Sequence, residues 1–340
     1  MTKYGIGTTL VVVLMLSACS SADRYIAKRE YLVTNQSQSA PPGGGRRDMW
    51  LTVEHPGIQG TPTKSPFSSN CDIFSISPDK CWYTYPSWSP DGSKFAVVVA
   101  ALTAESVGPK RIHVSDWDGS RARNSFVLNV NNAANPTWDP EGRYILFDDG
   151  SDIWLSDTCN PNVAPSQVTT DSANDSDPTW SRDGKWVAFV SDRSGDREIW
   201  AISANLNLTI GGSPFGFGTP TNWTNTTGKD ENLPYFSEIG PSPDTSKGIN
   251  RIMFQKDNDL WWLPTPPGNA QPTQITSDGV KKRYAEFVLH NVAVAYVTDI
   301  VDQIMEVGVN TGNVQDATDA KSFGRFSSRQ EWTGSINTCP

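Results

Sequence analysis

A seven-residue phrase recurs along the chain and constrains its fold more than any other feature. "PSWSPDG" (86–92), "PTWDPEG" (136–142) and "PTWSRDG" (178–184) are near copies, and "LPYFS" (233–237) is a weaker one. With the prolines as register, Pro86, Pro136, Pro178 and Pro234 stand at intervals of 50, 42 and 56 residues. Two degraded copies continue the series: "AEFVLHNVAVAYVTD" puts Phe287, and "GRFSSRQEW" puts Phe326, where the tryptophans stand. Their register positions, Ala285 and Gly324, add intervals of 51 and 39 residues. A period in this range marks an array or propeller, built from units that cannot bury their apolar faces alone.

A second phrase follows the first at its own offset. It joins an acid, an aliphatic and a tryptophan: "DMWLT" (48–52), "DIWLS" (152–156), "EIWAI" (198–202) and "DLWWL" (259–263), with looser forms "RIHVS" (111–115) and "QIMEV" (303–307). The first of these has no P-x-W phrase before it, and the last P-x-W equivalent has no acid-aliphatic-Trp phrase after it. The chain therefore begins midway through one unit and ends on that unit's first strand. A ring sealed by pairing the two end segments requires this permutation, whereas an open solenoid does not.

"SPDG" and "SRDG" suit a type I turn, with Ser at the first position, Asp at the third and Gly closing, so the phrase joins two antiparallel strands. The stretches after these turns, "SKFAVVVA", "RYILFDD" and "KWVAFVSD", are almost wholly apolar and rich in β-branched and aromatic residues, as a strand covered on both faces should be. "QVTTD" (167–171) and "QITSD" (274–278) read as outer strands. With 24 Pro and 27 Gly breaking longer patterns, no amphipathic helix is legible after residue 24. The fold class is all-β: a six-bladed β-propeller closed by pairing of the N- and C-terminal segments.

These elements, P-x-W-S-P-D-G, A-F-x-S-D and D-I-W, resemble the TolB-type β-propeller repeat over roughly residues 30 to 332. The resemblance implies the propeller fold. No additional α/β domain of the TolB kind fits before Tyr31.

The N-terminus reads as a targeting segment. Lys3 gives a positive start, "IGTTLVVVLML" an apolar run and "LSAC" (16–19) small residues before a cysteine. It is too short to span a bilayer comfortably and resembles the lipobox of bacterial lipoproteins, which implies cleavage before Cys19 and acylation of that residue. Ser20 at the next position implies an outer-membrane anchor, facing the periplasm or, as the alternative, the cell surface. The expected division is a signal peptide over 1–18, a lipidated linker over 19–29 and the propeller over 30–340, with "QSQSAPPGGGRR" (36–47) as a mobile loop inside the closing blade. The remaining four cysteines read as disulfide candidates in an exported chain, Cys71 with Cys81 and Cys159 with Cys339.

In a four-stranded blade, the inter-blade links and the turns between second and third strands emerge on one end of the ring, and the SPDG turns on the other. The first end collects Asp148, Asp149, Asp152, Asp175, Asp177, Asp192, Asp196, Asp230, Glu231, Asp257 and Asp259, with Asp171, Glu198 and Asp278 nearby. Cations there are fewer, so the expectation is an acidic binding face around the channel. The competing reading is turn carboxylates satisfied by local backbone amides. The formal net charge of -9 argues against nucleic acid as a partner. "NDSDP" and "DDGSD" lack the glycine and distal glutamate of a calcium loop, and no metal or other cofactor is expected.

For catalysis, the three histidines, His55, His113 and His290, read as structural, and neither a G-x-S-x-G elbow nor H-E-x-x-H occurs. No catalytic residue is assigned. The sequence reads as a monomeric, non-enzymatic, lipid-anchored binding protein whose partner is another envelope protein or a cell-wall-associated ligand. The alternative is a propeller-type lyase or hydrolase acting in the central channel.

Overall fold

A computed structural model describes residues 29–35, 49–54, 63–64, 81–101, 108–117, 122–205, 216–226, 228–237, 251–288, 293–298, 304–308, 314–316 and 323–329. These residues form strands and no helix. The first three strands are β1 (Arg29–Asn35), β2 (Met49–Glu54) and β3 (Thr63–Lys64). Blade 2 comes next with β4 (Cys81–Trp88), β5 (Lys94–Ala101), β6 (Arg111–Trp117) and β7 (Ala122–Val127). Blade 3 comprises β8 (Ala134–Trp138), β9 (Tyr144–Asp148), β10 (Ile153–Asp157) and β11 (Ser166–Gln167). Blade 4 has β12 (Asp175–Trp180), β13 (Trp186–Ser191), β14 (Glu198–Asn205), β15 (Gly216–Phe217) and β16 (Thr221–Asn222). Blade 5 has β17 (Glu231–Phe236), β18 (Arg251–Lys256), β19 (Asp259–Pro264) and β20 (Thr273–Gln274). Blade 6 has β21 (Lys282–Val288), β22 (Ala293–Thr298), β23 (Ile304–Gly308) and β24 (Val314–Asp316), and the last described strand is β25 (Phe323–Arg329).

The pairings are antiparallel throughout, and β25 joins β1, β2 and β3 to make blade 1, with Tyr31 opposite Ser328 and Leu32 opposite Ser327. The inner strands touch in a closed series, β25, β4, β8, β12, β17, β21 and again β25. The permuted order read from the two phrases is the order of the strands in space.

Blades 3, 4 and 5 are covered on both faces, which is why their middle strands have no polar alternation. On β9, Ile145 and Phe147 pack toward blade 2, beside Val98, Ile112 and Val114, while Tyr144 and Leu146 pack toward blade 4, beside Val187 and Phe189. The phrase tryptophan fills the gap between blades. Trp138 lies in the seam between blades 2 and 3, Trp180 between blades 3 and 4, and Phe236 and Phe287 hold the matching places in the next two seams.

The turns match the sequence reading. The amides of Gly92, Gly142 and Gly184 donate to the carbonyls of Ser89, Asp139 and Ser181, and Gly184 adopts a φ of 68° that a side chain would oppose. In two turns a serine hydroxyl organises the bend: Ser181 Oγ donates to Asp183 and accepts from the Trp186 amide, and Ser89 Oγ does the same with Asp91 and the Lys94 amide. In "WDPEG" Asp139 takes that place and accepts from the amides of Glu141, Arg143 and Tyr144. Burial outweighs those donors and raises its carboxyl to about 6.

His113 lies on β6 and is buried; burial pushes it down to about 4, and its Nε2 has no hydrogen-bond partner among the described residues. It is a neutral core residue. Cys159 is disulfide-bonded. Cys19, Cys71, Cys339, His55, His290 and the 36–47 segment lie outside the described residues, and Cys81 begins β4.

Candidate functional site

Five inner strands carry an irregularity at the same place. The register slips between Thr84 and Ser87, Ala134 and Thr137, Ser176 and Thr179, Asn232 and Tyr235, and Arg283 and Glu286. In four of these the slipped pair ends on the phrase proline, which has no N–H for the ladder and is tolerated there because a bulge leaves it unpaired. The residue before the proline takes a left-handed conformation: Tyr85, Asn135, Asp177 and Leu233 have φ of 52°, 49°, 52° and 54°. Asn and Asp tolerate this region, but Tyr and Leu do not by themselves, so the surrounding ring holds them.

The bulges turn these residues toward the axis, where they and the phrase line a cavity of about 200 Å³. Its wall includes Pro86, Pro136, Pro178 and Pro234, and reaches Pro90, Pro140 and Arg182 in the hairpin turns. The cavity thus occupies the half of the channel on the SPDG side. Between each proline and its aromatic sits a residue that also lines it: Ser87, Thr137, Thr179, Tyr235 and, after Ala285, Glu286. Among the described residues its charged members are Asp177, Arg182 and Glu286, with no His, Cys or Lys. The hydroxyls of Ser89 and Ser181 are engaged by Asp91 and Asp183 in their own turns. The wall presents rings, hydroxyls and the charged groups of Asp177, Arg182 and Glu286.

Of the eleven acids expected to form a binding face, only Asp177 lines this cavity. Asp148 is buried and accepts from Asn135 Nδ2 at 2.6 Å and from the Asp177 amide at 3.1 Å, which ties the bulges of blades 3 and 4 together. Asp149 organises its turn, accepting from the amides of Ser151 and Asp152 and from Trp154 Nε1. Asp175 is buried against Arg193. Asp192 binds the amide and side chain of Asn174, bonds that lower its pKa. Asp196 accepts from the Gly228 amide, Asp230 from that of Arg197, and Asp257 pairs with Lys229. The face is acidic in sequence, but most of its carboxylates are spent on internal contacts.

The acid of the second phrase proves to be a latch. Thr169, Thr224 and Thr276, in the links that lead to the next blade, accept the amides of Ile153, Ile199 and Leu260 and donate to Asp152, Glu198 and Asp259. One hydroxyl therefore fixes both the acid and the amide beside it at the start of each third strand. Burial, and then the neighbouring charge of Asp149, raise the pKa of Asp152. Thr276→Val keeps the shape but leaves the Leu260 amide without its acceptor and takes one donor from the Asp259 carboxylate, which Lys282 still holds. It is expected to cost about 1–3 kcal/mol in urea denaturation, with Thr276→Ser close to wild type.

The cavity-lining residues were hidden because the phrase reads as punctuation. A signal was nevertheless present: the position between proline and aromatic varies through Ser, Thr, Thr, Tyr and Glu while its neighbours repeat.

No family model matches the chain. Its structure is similar to TolB from Acinetobacter baumannii, at 17% identity and a TM-score of 0.58 over 90% of this chain and 67% of that one. It is also similar to a chain of a nidogen/laminin complex, at 6% identity and a TM-score of 0.57 over 90% of this chain and 100% of that one. A puromycin-hydrolysing peptidase of Mycobacterium tuberculosis matches at 14% identity and a TM-score of 0.51, over 85% of this chain and 45% of that one.

Proposed function

We propose that this TolB-like β-propeller is a non-enzymatic binding scaffold of the cell envelope, lipid-anchored in the outer membrane through Cys19. It binds another envelope protein or a cell-wall-associated ligand. The observation that carries the reading is the axial cavity. Its wall combines proline, aromatic and hydroxyl side chains with the charged groups of Asp177, Arg182 and Glu286, and the hydroxyls of Ser89 and Ser181 are engaged in turns, a chemistry of recognition. The nidogen/laminin match is to a structure of two proteins in complex, which supports protein binding as a use of the same architecture. The lipobox-like "LSAC" supports the anchor.

The peptidase match favours the competing reading of a propeller that works with catalysis, although the chain spans less than half of that protein. One experiment separates the two. The full chain and the cavity-filling variants Ser87→Tyr and Thr137→Tyr are captured from membranes, and the bound material is identified by mass spectrometry. The expected result is one envelope protein or cell-wall fragment, retained by the wild type and reduced about tenfold or more by the variants, equivalent to about 1.4 kcal/mol or more of binding. Recovery of a processed small-molecule product in its place would favour the enzyme.

A further inference from the structure

The same two positions meet at three successive seams of the ring: the acid opening one blade's third strand, and the first residue of the next blade's inner strand. They are Asp152 with Asp175, Glu198 with Glu231, and Asp259 with Lys282. The backbone confirms their equivalence, because the amides of Asp175, Glu231 and Lys282 donate to the carbonyls of Ser151, Arg197 and Asn258, each just before the acid.

Two seams carry a cation in hydrogen-bond contact. Arg193 Nη2 lies 2.8–2.9 Å from both carboxylate oxygens of Asp175, and Lys282 Nζ lies 3.0 Å from Asp259. The seam between blades 4 and 5 holds two buried carboxyl groups and, among the described residues, no such partner. Thr224 donates to Glu198 Oε2 and Thr226 to Glu231 Oε1, while Glu231 Oε2 is buried with no hydrogen-bond partner. Lys256 Nζ stands 3.9 Å from Glu231 Oε1, an ion pair beyond hydrogen-bond reach, and lies over the Trp261 ring. The other charged groups nearby are committed elsewhere: the Arg197 guanidinium turns to Ser176 and Asp177, Lys229 pairs with Asp257, and Asp230 accepts the Arg197 amide.

We propose that Glu198 and Glu231 share one proton in place of a hydrogen-bonded cation, and that this proton latches the seam between blades 4 and 5. Two ionised carboxylates in contact and out of water are strongly disfavoured, and a proton between them supplies the donor that Oε2 lacks. Burial, reinforced by the hydrogen bond and charge of Glu198 against the donors Thr226 and Thr224, holds the Glu231 proton up to about 8. A proton held more tightly in the fold than in the unfolded chain contributes stability that is complete below the ordinary value of 4.5. That contribution declines as pH rises and is gone above about 8. The strand that begins at Glu231 continues into Leu233, Pro234 and Tyr235 of the cavity wall, so releasing the latch loosens that wall.

Amide hydrogen exchange on the full chain tests this, with the seam between blades 5 and 6 as an internal control. The reporters are the amides of Ile199, Trp223 and Glu231 in the latched seam, and of Leu260, Ile275 and Lys282 in the control. Between about pH 6.5 and about pH 9, after correction for base-catalysed intrinsic exchange, the latched seam is expected to lose about tenfold more protection than the control. Glu231→Gln, which donates without titrating, removes the difference. Equal loss at both seams, or an undiminished difference in Glu231→Gln, overturns the proposal. If that variant does not fold, the comparison of the two wild-type seams decides.

Discussion

Replacing Trp180 with alanine is expected to cost about 3–5 kcal/mol of stability, the range for deleting a large core aromatic. Trp180 is 6% exposed and packs between Tyr144, Leu146, Ile153 and Leu155 of blade 3 and Val187, Phe189 and Ile202 of blade 4, with the Phe217 ring 6.4 Å away. Both blades are held by several strands and by their other neighbours, so neither can slide inward to fill the hole. Phenylalanine should be tolerated far better, at about 1–2 kcal/mol, within the ordinary range for one substitution. The molecule already uses Phe236 and Phe287 at the matching places. Urea denaturation monitored by circular dichroism measures both. An alanine variant within about 1 kcal/mol of wild type would show that the seam closes without the ring.

Removing the guanidinium of Arg193 should be nearly as damaging for a different reason. Asp175 is 0% exposed, and both of its oxygens accept from Arg193 Nη2. Arg193 also reaches Asp171 at 2.9 Å and lies 4.9 Å over the Trp200 ring. Arg193→Met preserves much of the stem but strands a buried carboxylate, at an expected cost of about 3–5 kcal/mol. The double variant with Asp175→Asn should recover at least half of that, because the loss is one of unpaired charge. A double-mutant cycle in urea separates this from lost packing: if the second substitution recovers nothing, the stem and its ring contacts carry the effect.

The fold was legible because its determinants are local and repeated. A turn such as "SRDG" closes within a few residues, and the apolar run after it states that both faces are covered before any neighbour is known. The permutation was legible too, since "DMWLT" without a preceding P-x-W phrase can be completed only by "GRFSSR" from the far end of the chain. The site was less so, because the fate of a carboxylate depends on partners brought close by the ring. Asp196 is satisfied by the amide of Gly228 and Glu198 by the hydroxyl of Thr224, both contributed by the link to the next blade. The sequence had no measure of what these acids would meet. It also read the P-x-W phrase only as punctuation, whereas the phrase carries two roles: its aromatic seals a seam and the residue before it lines the axis.

The pairing of β1 with β25 has a kinetic consequence. Partners such as Leu32 and Ser327 lie almost the whole chain apart, so the loop entropy of joining them is met last, after the other blades have assembled from neighbouring strands. During synthesis the inward edge of β1 therefore stays without its ladder partner, a template for pairing with other chains until β25 arrives. In this molecule the hazard of aggregation is concentrated at one joint and one moment, the interval between emergence of the first strand and docking of the last.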